Sequence, residues 1–241
     1  MSKNLYQLTY KPFGDSAILI EWPAKTDEKI IKDIIRFESI ISNNQNNIDT
    51  IIAYHSLTVK YQNSIDFDFQ ISQLKELYLL KRENQTQKQR IWQIPVCYDM
   101  IFGPDLGAIS KLKRISIAEI IQLHTSPDYL IYFLGFQPGF LYLGGLHTKI
   151  HMPRKPNPRL RVAKGTVGIG GAQTGVYPQD SAGGWNLIGK SPVNFFDVTK
   201  SPPCFAKAGD RVRFHAIDLE TFYEVEEKVK QGVFQLKFQE L

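Results

Sequence analysis

Six basic side chains, Lys149, Arg154, Lys155, Arg159, Arg161 and Lys164, fall between Asp128 and Asp180, a span with no other aspartate or glutamate. Twelve of the chain's 17 glycines lie between Gly135 and Gly189, across the same region. Glycine reaches positive φ and lets main chain come close to a ligand. Basic side chains beside exposed amides make an anion site. Magnesium–nucleotide chemistry calls for carboxylates, which the acid-free span does not supply. The chemistry indicated there is recognition of a small anion.

The motifs carrying these residues are Gly135-Phe136-Gln137-Pro138-Gly139-Phe140-Leu141-Tyr142, then Met152-Pro153-Arg154 and Pro158-Arg159. Further on come Gly168-Ile169-Gly170-Gly171-Ala172-Gln173-Thr174-Gly175-Val176-Tyr177 and Gly183-Gly184-Trp185. They offer aromatic faces, exposed amides, planar guanidiniums and the Gln173 amide, the usual makings of a small-molecule pocket. The competing reading is that the glycines only turn tight corners of a barrel and that Trp185 belongs to its core. No Gly-x-x-x-x-Gly-Lys-Ser/Thr loop and no Gly-x-Ser-x-Gly elbow is present. His147 and His151 stand four apart without a helix to share, so no metal site is expected. Cys97 has no basic neighbour in sequence to activate it.

Composition bounds the rest. With 43% hydrophobic and 22% charged residues, the 241-residue chain reads as globular. Residues 1–90 hold 12 basic and 11 acidic side chains, and residues 91–241 hold 17 and 13, so the net +5 sits mostly in the second part. A local excess suits a small anion or an acidic partner surface better than nucleic acid. No basic-then-apolar leader and no membrane-length apolar run is seen. A cytoplasmic protein with two reduced, buried thiols, Cys97 and Cys204, is expected.

Several elements are expected to position the site. Ala17–Trp22 reads as a strand, and Thr26 is placed to cap a helix from Asp27 to Ser42-Asn43-Asn44. Strands at Thr50–Tyr54 and Leu57–Tyr61 and a helix over Phe69–Lys81 complete a small α+β unit. Lys81–Arg90 has no apolar residue and marks a boundary, giving domains 1–85 and 91–241. In the second, Ile91–Tyr98 is a strand whose Pro95 suggests an edge or a strand start, and Ser116-Ile117-Ala118-Glu119 is a capping box. Short strands at Leu130–Leu134, Val167–Ile169, Leu187–Ile188, Asn194–Val198 and Arg211–His215 read as a compact β-barrel. Leu219–Lys230 is a last helix, stopped at Gly232.

The glycine motifs, with Ser56-Leu57-Thr58-Val59, Pro95-Val96-Cys97-Tyr98, Phe102-Gly103-Pro104-Asp105-Leu106 and His124-Thr125, resemble the family of 5-oxoprolinase B-type subunits. That family is also described as allophanate hydrolase subunit 1 or sporulation kinase inhibitor proteins, and shares its module with the carboxyltransferase region of urea carboxylases. The resemblance covers nearly the whole chain. It departs at Ala163 and Ala182, where proline and a Ser-Pro-Gly-Gly-Trp order are usual. It implies an α+β N-terminal domain followed by a cyclophilin-like closed β-barrel domain. It also implies a subunit of ATP-dependent 5-oxoprolinase, working with a sister second subunit and a lactam-utilisation protein, with ATP and magnesium as cofactors and none covalent. Inhibition of a sensor histidine kinase, with Phe136, Phe140 and Tyr142 as anchors, and a carboxyltransferase half are the alternatives. Under the first activity, Arg154 or Arg159 would hold the substrate carboxylate, Gln173 and Tyr177 would orient it, and Phe136 and Trp185 would wall the pocket. Neither nucleic acid nor a membrane is an expected partner.

Overall fold

The computed structural model describes residues 6–80 and 89–241. The chain divides into two compact units, Met1–Gln87 and Lys88–Leu241. Most of the stretch read as a boundary, residues 81–88, lies outside the described residues.

The first unit runs β1 (Thr9–Phe13), β2 (Ala17–Glu21), α1 (Glu28–Asn44), β3 (Ile48–Ile52), β4 (Ser56–Tyr61) and α2 (Phe67–Leu79). The strands form an antiparallel sheet in the order β1-β2-β4-β3. Alternation puts Ile18 and Ile20 of β2 and Leu57 and Val59 of β4 in the core with Ile30, Ile31, Ile34, Phe37 and Ile41 of α1. The cap of α1 is Asp27 and not Thr26: the Asp27 carboxylate accepts from the Lys29 N–H at 2.8 Å. An acid there also faces the positive end of the helix dipole. Strand β3 starts and ends two residues earlier than expected, because a turn over Ala53–His55 closes by Ala53 N–H to Ser56 O at 2.9 Å.

One carboxylate ties this unit together. Asp33 of α1 accepts from Trp22 Nε1 at 2.9 Å, from Tyr78 Oη of α2 at 2.5 Å and from Arg36 Nε at 2.9 Å. The Arg36 guanidinium lies 4.9 Å above the Tyr78 ring. Burial, helped by Asp33, pushes the Tyr78 phenol well up and keeps it a donor.

The second unit runs β5 (Arg90–Cys97), α3 (Leu106–Lys113), α4 (Ile117–Thr125), β6 (Tyr129–Leu134), β7 (Leu141–Gly144), β8 (Arg159–Val162) and β9 (Thr166–Gly170). It continues with β10 (Gln173–Val176), β11 (Ser181–Gly183), β12 (Asn186–Lys190), β13 (Arg211–Ile217), α5 (Leu219–Lys230) and β14 (Phe238–Glu240). Seven strands in the order β12-β9-β10-β7-β6-β13-β5 close into a barrel, the last contact being Lys190 against Cys97. Among the described residues only β13 and β5 pair in parallel, Arg211 against Ile91 through Ile217 against Cys97. Strands β8 and β11 form a separate two-stranded ribbon.

Two expectations about strands are corrected. Pro95 marks neither an edge of the sheet nor the start of β5. Its nitrogen faces the same side as the Gln93 N–H, which donates to Lys237 O at 3.0 Å. On that side β14 pairs only as far as Trp92 and β12 begins only at Cys97. Proline therefore fills a gap in pairing within the barrel wall. Residues 194–198 are not a strand: Phe195 is 1% exposed and packs on Phe205 at 5.5 Å, so core packing holds this segment in place of a ladder. The capping box forms, Ser116 Oγ accepting from the Glu119 N–H at 3.1 Å.

A polar chain runs through the barrel interior. Tyr98 Oη lies 2.7 Å from His124 Nδ1, His124 Nε2 lies 2.7 Å from Thr174 Oγ1, and Thr174 Oγ1 donates to Gly168 O at 3.0 Å. The single Thr174 proton is spent on Gly168, so Thr174 accepts from His124 Nε2–H, and Nδ1 accepts from Tyr98. Burial drives His124 down to about 3, and the ring, stacked 4.7 Å from Phe214, is neutral. Both cysteines are free thiols pushed up by burial, Cys97 buried and Cys204 only half-buried. Among the described residues no helix is long and apolar enough to cross a membrane.

Candidate functional site

A cavity of about 410 Å³ opens on the second unit. Its apolar floor comes from three rings brought together from distant parts of the sequence: Phe140 before β7, Tyr177 after β10 and Trp185 before β12. They pack edge-to-face at 5.6–6.4 Å and form a small core of their own with Val162 and Leu187. Two glycines permit this approach. A Cβ on Gly170 would collide with the Trp185 indole, and one on Gly183 with Tyr177 Oη. Tyr142 completes the floor, and Ala182, Gly183 and Gly184 form one lip.

Phe136 stands at the rim. Its φ of 65° is left-handed, a costly conformation for a bulky residue, yet the residue is 66% exposed and its ring touches Phe140 edge-on at 5.6 Å. The adjacent Gln137 Oε1 is buried with no hydrogen-bond partner among the described residues. Such strain is retained where surrounding structure imposes it, and it clusters at functional sites.

The cationic wall is Arg154 and Lys155. Arg154 is exposed, its guanidinium 5.9 Å from the centre of the Trp185 ring, and among the described residues no carboxylate pairs with it. The Lys155 ammonium is 2.9 Å from Asp105 Oδ1. Arg159 is turned away: Nη2 donates to the same Asp105 Oδ1 at 2.8 Å and Nη1 to Trp185 O at 3.4 Å, and the residue does not line the cavity. Asp105 also accepts the Leu187 N–H at 2.7 Å through Oδ2. Burial pushes this carboxyl up, but the hydrogen bonds from Arg159, the Leu187 N–H and Lys155 outweigh it and hold it below its ordinary value. Burial raises the Tyr177 phenol, and the Trp185 N–H, Arg154 and Arg159 only partly oppose this, so the phenol is neutral.

Of the six residues singled out in the sequence, the structure brings together Arg154, Tyr177, Phe136 and Trp185. Gln173 is separate: on β10 it shares a strand face with Gly175, against which Phe140 and Trp185 pack, but it is not part of the cavity wall. Sequence reasoning missed Lys155 as a wall residue and Asp105 as its anchor. Lys155 carried a signal, sitting beside Arg154 in the acid-free span; its pairing across 50 residues with Asp105 carried none. His147 and His151 each bond nearby backbone, His147 Nδ1 accepting from the Lys149 N–H and His151 Nε2 lying 3.0 Å from Leu146 O.

Residues 8–206 match the family model described as carboxyltransferase domain, subdomain C and D. Two relatives both carry the name of the B-type subunit of 5-oxoprolinase. The one from Bacillus subtilis is 36% identical over 92% of this chain and 98% of its own length. That from Haemophilus influenzae is also 36% identical, over 84% of this chain and 95% of its own. A conserved uncharacterized protein from Pyrococcus horikoshii has a crystal structure that matches 89% of this chain and 100% of its own, with 37% identity and a TM-score of 0.54. The urea carboxylase of Kluyveromyces lactis matches all of this chain with 24% of its own, at 19% identity and a TM-score of 0.80, a likeness of fold alone. The chain belongs to the family of carboxyltransferase domains, subdomains C and D.

Proposed function

We propose that this chain is the B-type subunit of an ATP-dependent 5-oxoprolinase, and that its cavity binds the cyclic amide 5-oxo-L-proline. The observation that carries this reading is the composition of the cavity wall: two cations, five aromatic rings and no aspartate or glutamate. A small planar ring bearing one carboxylate matches each part. The ring lies against the Phe140 and Trp185 faces, and the carboxylate meets Arg154, whose planar fork suits it. Neutral Tyr177 is a hydrogen-bond partner for the ring amide. The naming of the relatives, as one type of 5-oxoprolinase subunit among others, supports both the substrate and the existence of a partner.

The residues present do not fit a magnesium-bound nucleotide. No carboxylate lines the cavity, and among the described residues no three His, Cys, Asp or Glu side chains cluster as metal ligands. We assign this chain the holding and orienting of the lactam in a site shielded by aromatic walls. The nucleotide falls to the sister second subunit, with a lactam-utilisation protein as a further partner and the cytoplasm as the place of work.

The test is reconstitution. Glutamate release from 5-oxo-L-proline with magnesium and ATP is expected from this chain mixed with its sister subunit and the lactam-utilisation protein, and not from the chain alone. Robust turnover by the isolated chain would refute the division of labour, and no turnover by the full mixture would refute the activity.

A further inference from the structure

Lys155 is fixed at both ends. Its main-chain N–H donates to Gly184 O on the cavity lip at 2.7 Å, and its ammonium is held 2.9 Å from Asp105 Oδ1. An ammonium carries three donors, and Asp105 takes one. The side chain lines the cavity with 30% of its surface exposed, while the Asp105 side chain beneath it is 7% exposed. Flexible lysines lose much rotamer freedom when they grip a ligand. Here that freedom is already restricted before any ligand arrives, which is how binding sites gain affinity without new contacts.

The charge count points the same way. Asp105 is one negative group serving two positive ones, Lys155 and Arg159, and the Leu187 N–H as well. The wall behind the cavity is left with one excess positive charge, and Arg154 adds another on the Trp185 face. Arg159 already spans Asp105 and Trp185 O, so the crosslink between α3 and the segment before β12 does not need Lys155.

We propose that Lys155 is a ligand contact of this cavity, pairing with the carboxylate of a small cyclic acid, and that Asp105 is its positioning residue. The proposal rests on the reading of the cavity as a cyclic-acid site and adds to Arg154 a second group that reads the charge. Arg159, despite its planar fork, acts beneath the wall through Asp105.

The experiment titrates 5-oxo-L-proline and its neutral carboxamide into the complex of this chain with its sister subunit, without nucleotide. The wild-type complex is expected to bind the acid at least tenfold more tightly than the carboxamide. In Lys155→Met that ratio falls at least threefold but stays above one, because Arg154 still meets the carboxylate; carboxamide affinity holds, and the melting temperature moves by no more than a few degrees. Lys155→Arg restores most of the ratio. Asp105→Asn lowers the ratio in the wild-type background and leaves it unchanged in Lys155→Met, as it must if it acts through Lys155. A wild-type complex with no preference for the acid overturns the cyclic-acid reading, and this proposal with it. A wild-type preference that survives Lys155→Met intact overturns this proposal alone. A further fall caused by Asp105→Asn in the Lys155→Met background overturns the positioning role.

Discussion

Asp33 and Asp105 are both well-covered carboxylates that each gather three donors, and they do opposite things. At Asp33 the donors are an indole, a phenol and one guanidinium, so charge is matched one to one, and the indole and phenol stitch α1 to the rest of its unit. At Asp105 two cations share one oxygen, and one of them faces a cavity. A balanced network closes on itself and stabilises a fold. An unbalanced one leaves charge over, and an anion can complete it. The difference is one of stoichiometry, not of geometry, since the distances in the two networks are alike.

Neutralising each carboxylate in turn gives the strongest test of this contrast. Asp105→Asn leaves two cations around a neutral amide and is expected to cost about 3 kcal/mol, the lower end of the range for breaking a buried pair because both cations keep 30% exposure. Asp33→Asn keeps an acceptor for one ring donor and is expected to cost about 1–2 kcal/mol. Denaturant unfolding of both variants measures the order, and an Asp33 variant that loses as much as the Asp105 variant breaks the comparison.

The sealed His124 chain sharpens it through pH. Its folded value of about 3 lies below the ordinary 6.5, so the unfolded chain takes up the proton first. Its contribution is complete above pH 7 and is lost as pH falls through 6.5 towards 3, about 2 kcal/mol of it between pH 7 and pH 5. His124→Gln should flatten that slope, and an equal slope in the variant would show that the loss arises elsewhere. The smallest effect concerns the rim. Phe136→Gly removes both ring and left-handed strain, whereas Phe136→Ala removes the ring alone, so the glycine variant should be about 1 kcal/mol more stable than the alanine one. Equal melting temperatures would show that the φ of 65° stores nothing.

The helices and longer strands were legible because each carries its own period or cap: the isoleucines of α1, the Ser116–Glu119 box, the apolar run of β6. Helix α3 was not read. Asp105 occupies its N-cap position but makes no side-chain cap bond, its carboxylate being spent on Arg159, Lys155 and Leu187. Strands β10 and β11 were hidden because glycine, which packs poorly by propensity, is what the Trp185 and Tyr177 rings require there. Four residues of the candidate cavity wall, Phe136, Arg154, Tyr177 and Trp185, were readable from a glycine-dense, arginine-bearing segment. The rest depends on contacts across fifty residues, which no local pattern encodes.

The closed ring of seven strands has a consequence of parity. Neighbours around a closed ring can alternate in direction throughout only if their number is even. An odd ring must contain at least one pair running the same way, and here that seam lies between β5 and β13, the first and last strands of the ring in chain order. Both of these strands end at the same rim of the barrel, so the chain cannot be re-closed across the seam by a hairpin turn; it needs a crossover the length of a strand. Helix α5 and β14 follow β13 and bring the chain back to pair with β5 in the antiparallel sense. Circular permutation at this seam therefore calls for a long linker, whereas new termini cut into any antiparallel hairpin of the ring leave the odd pair, and the barrel it closes, in place.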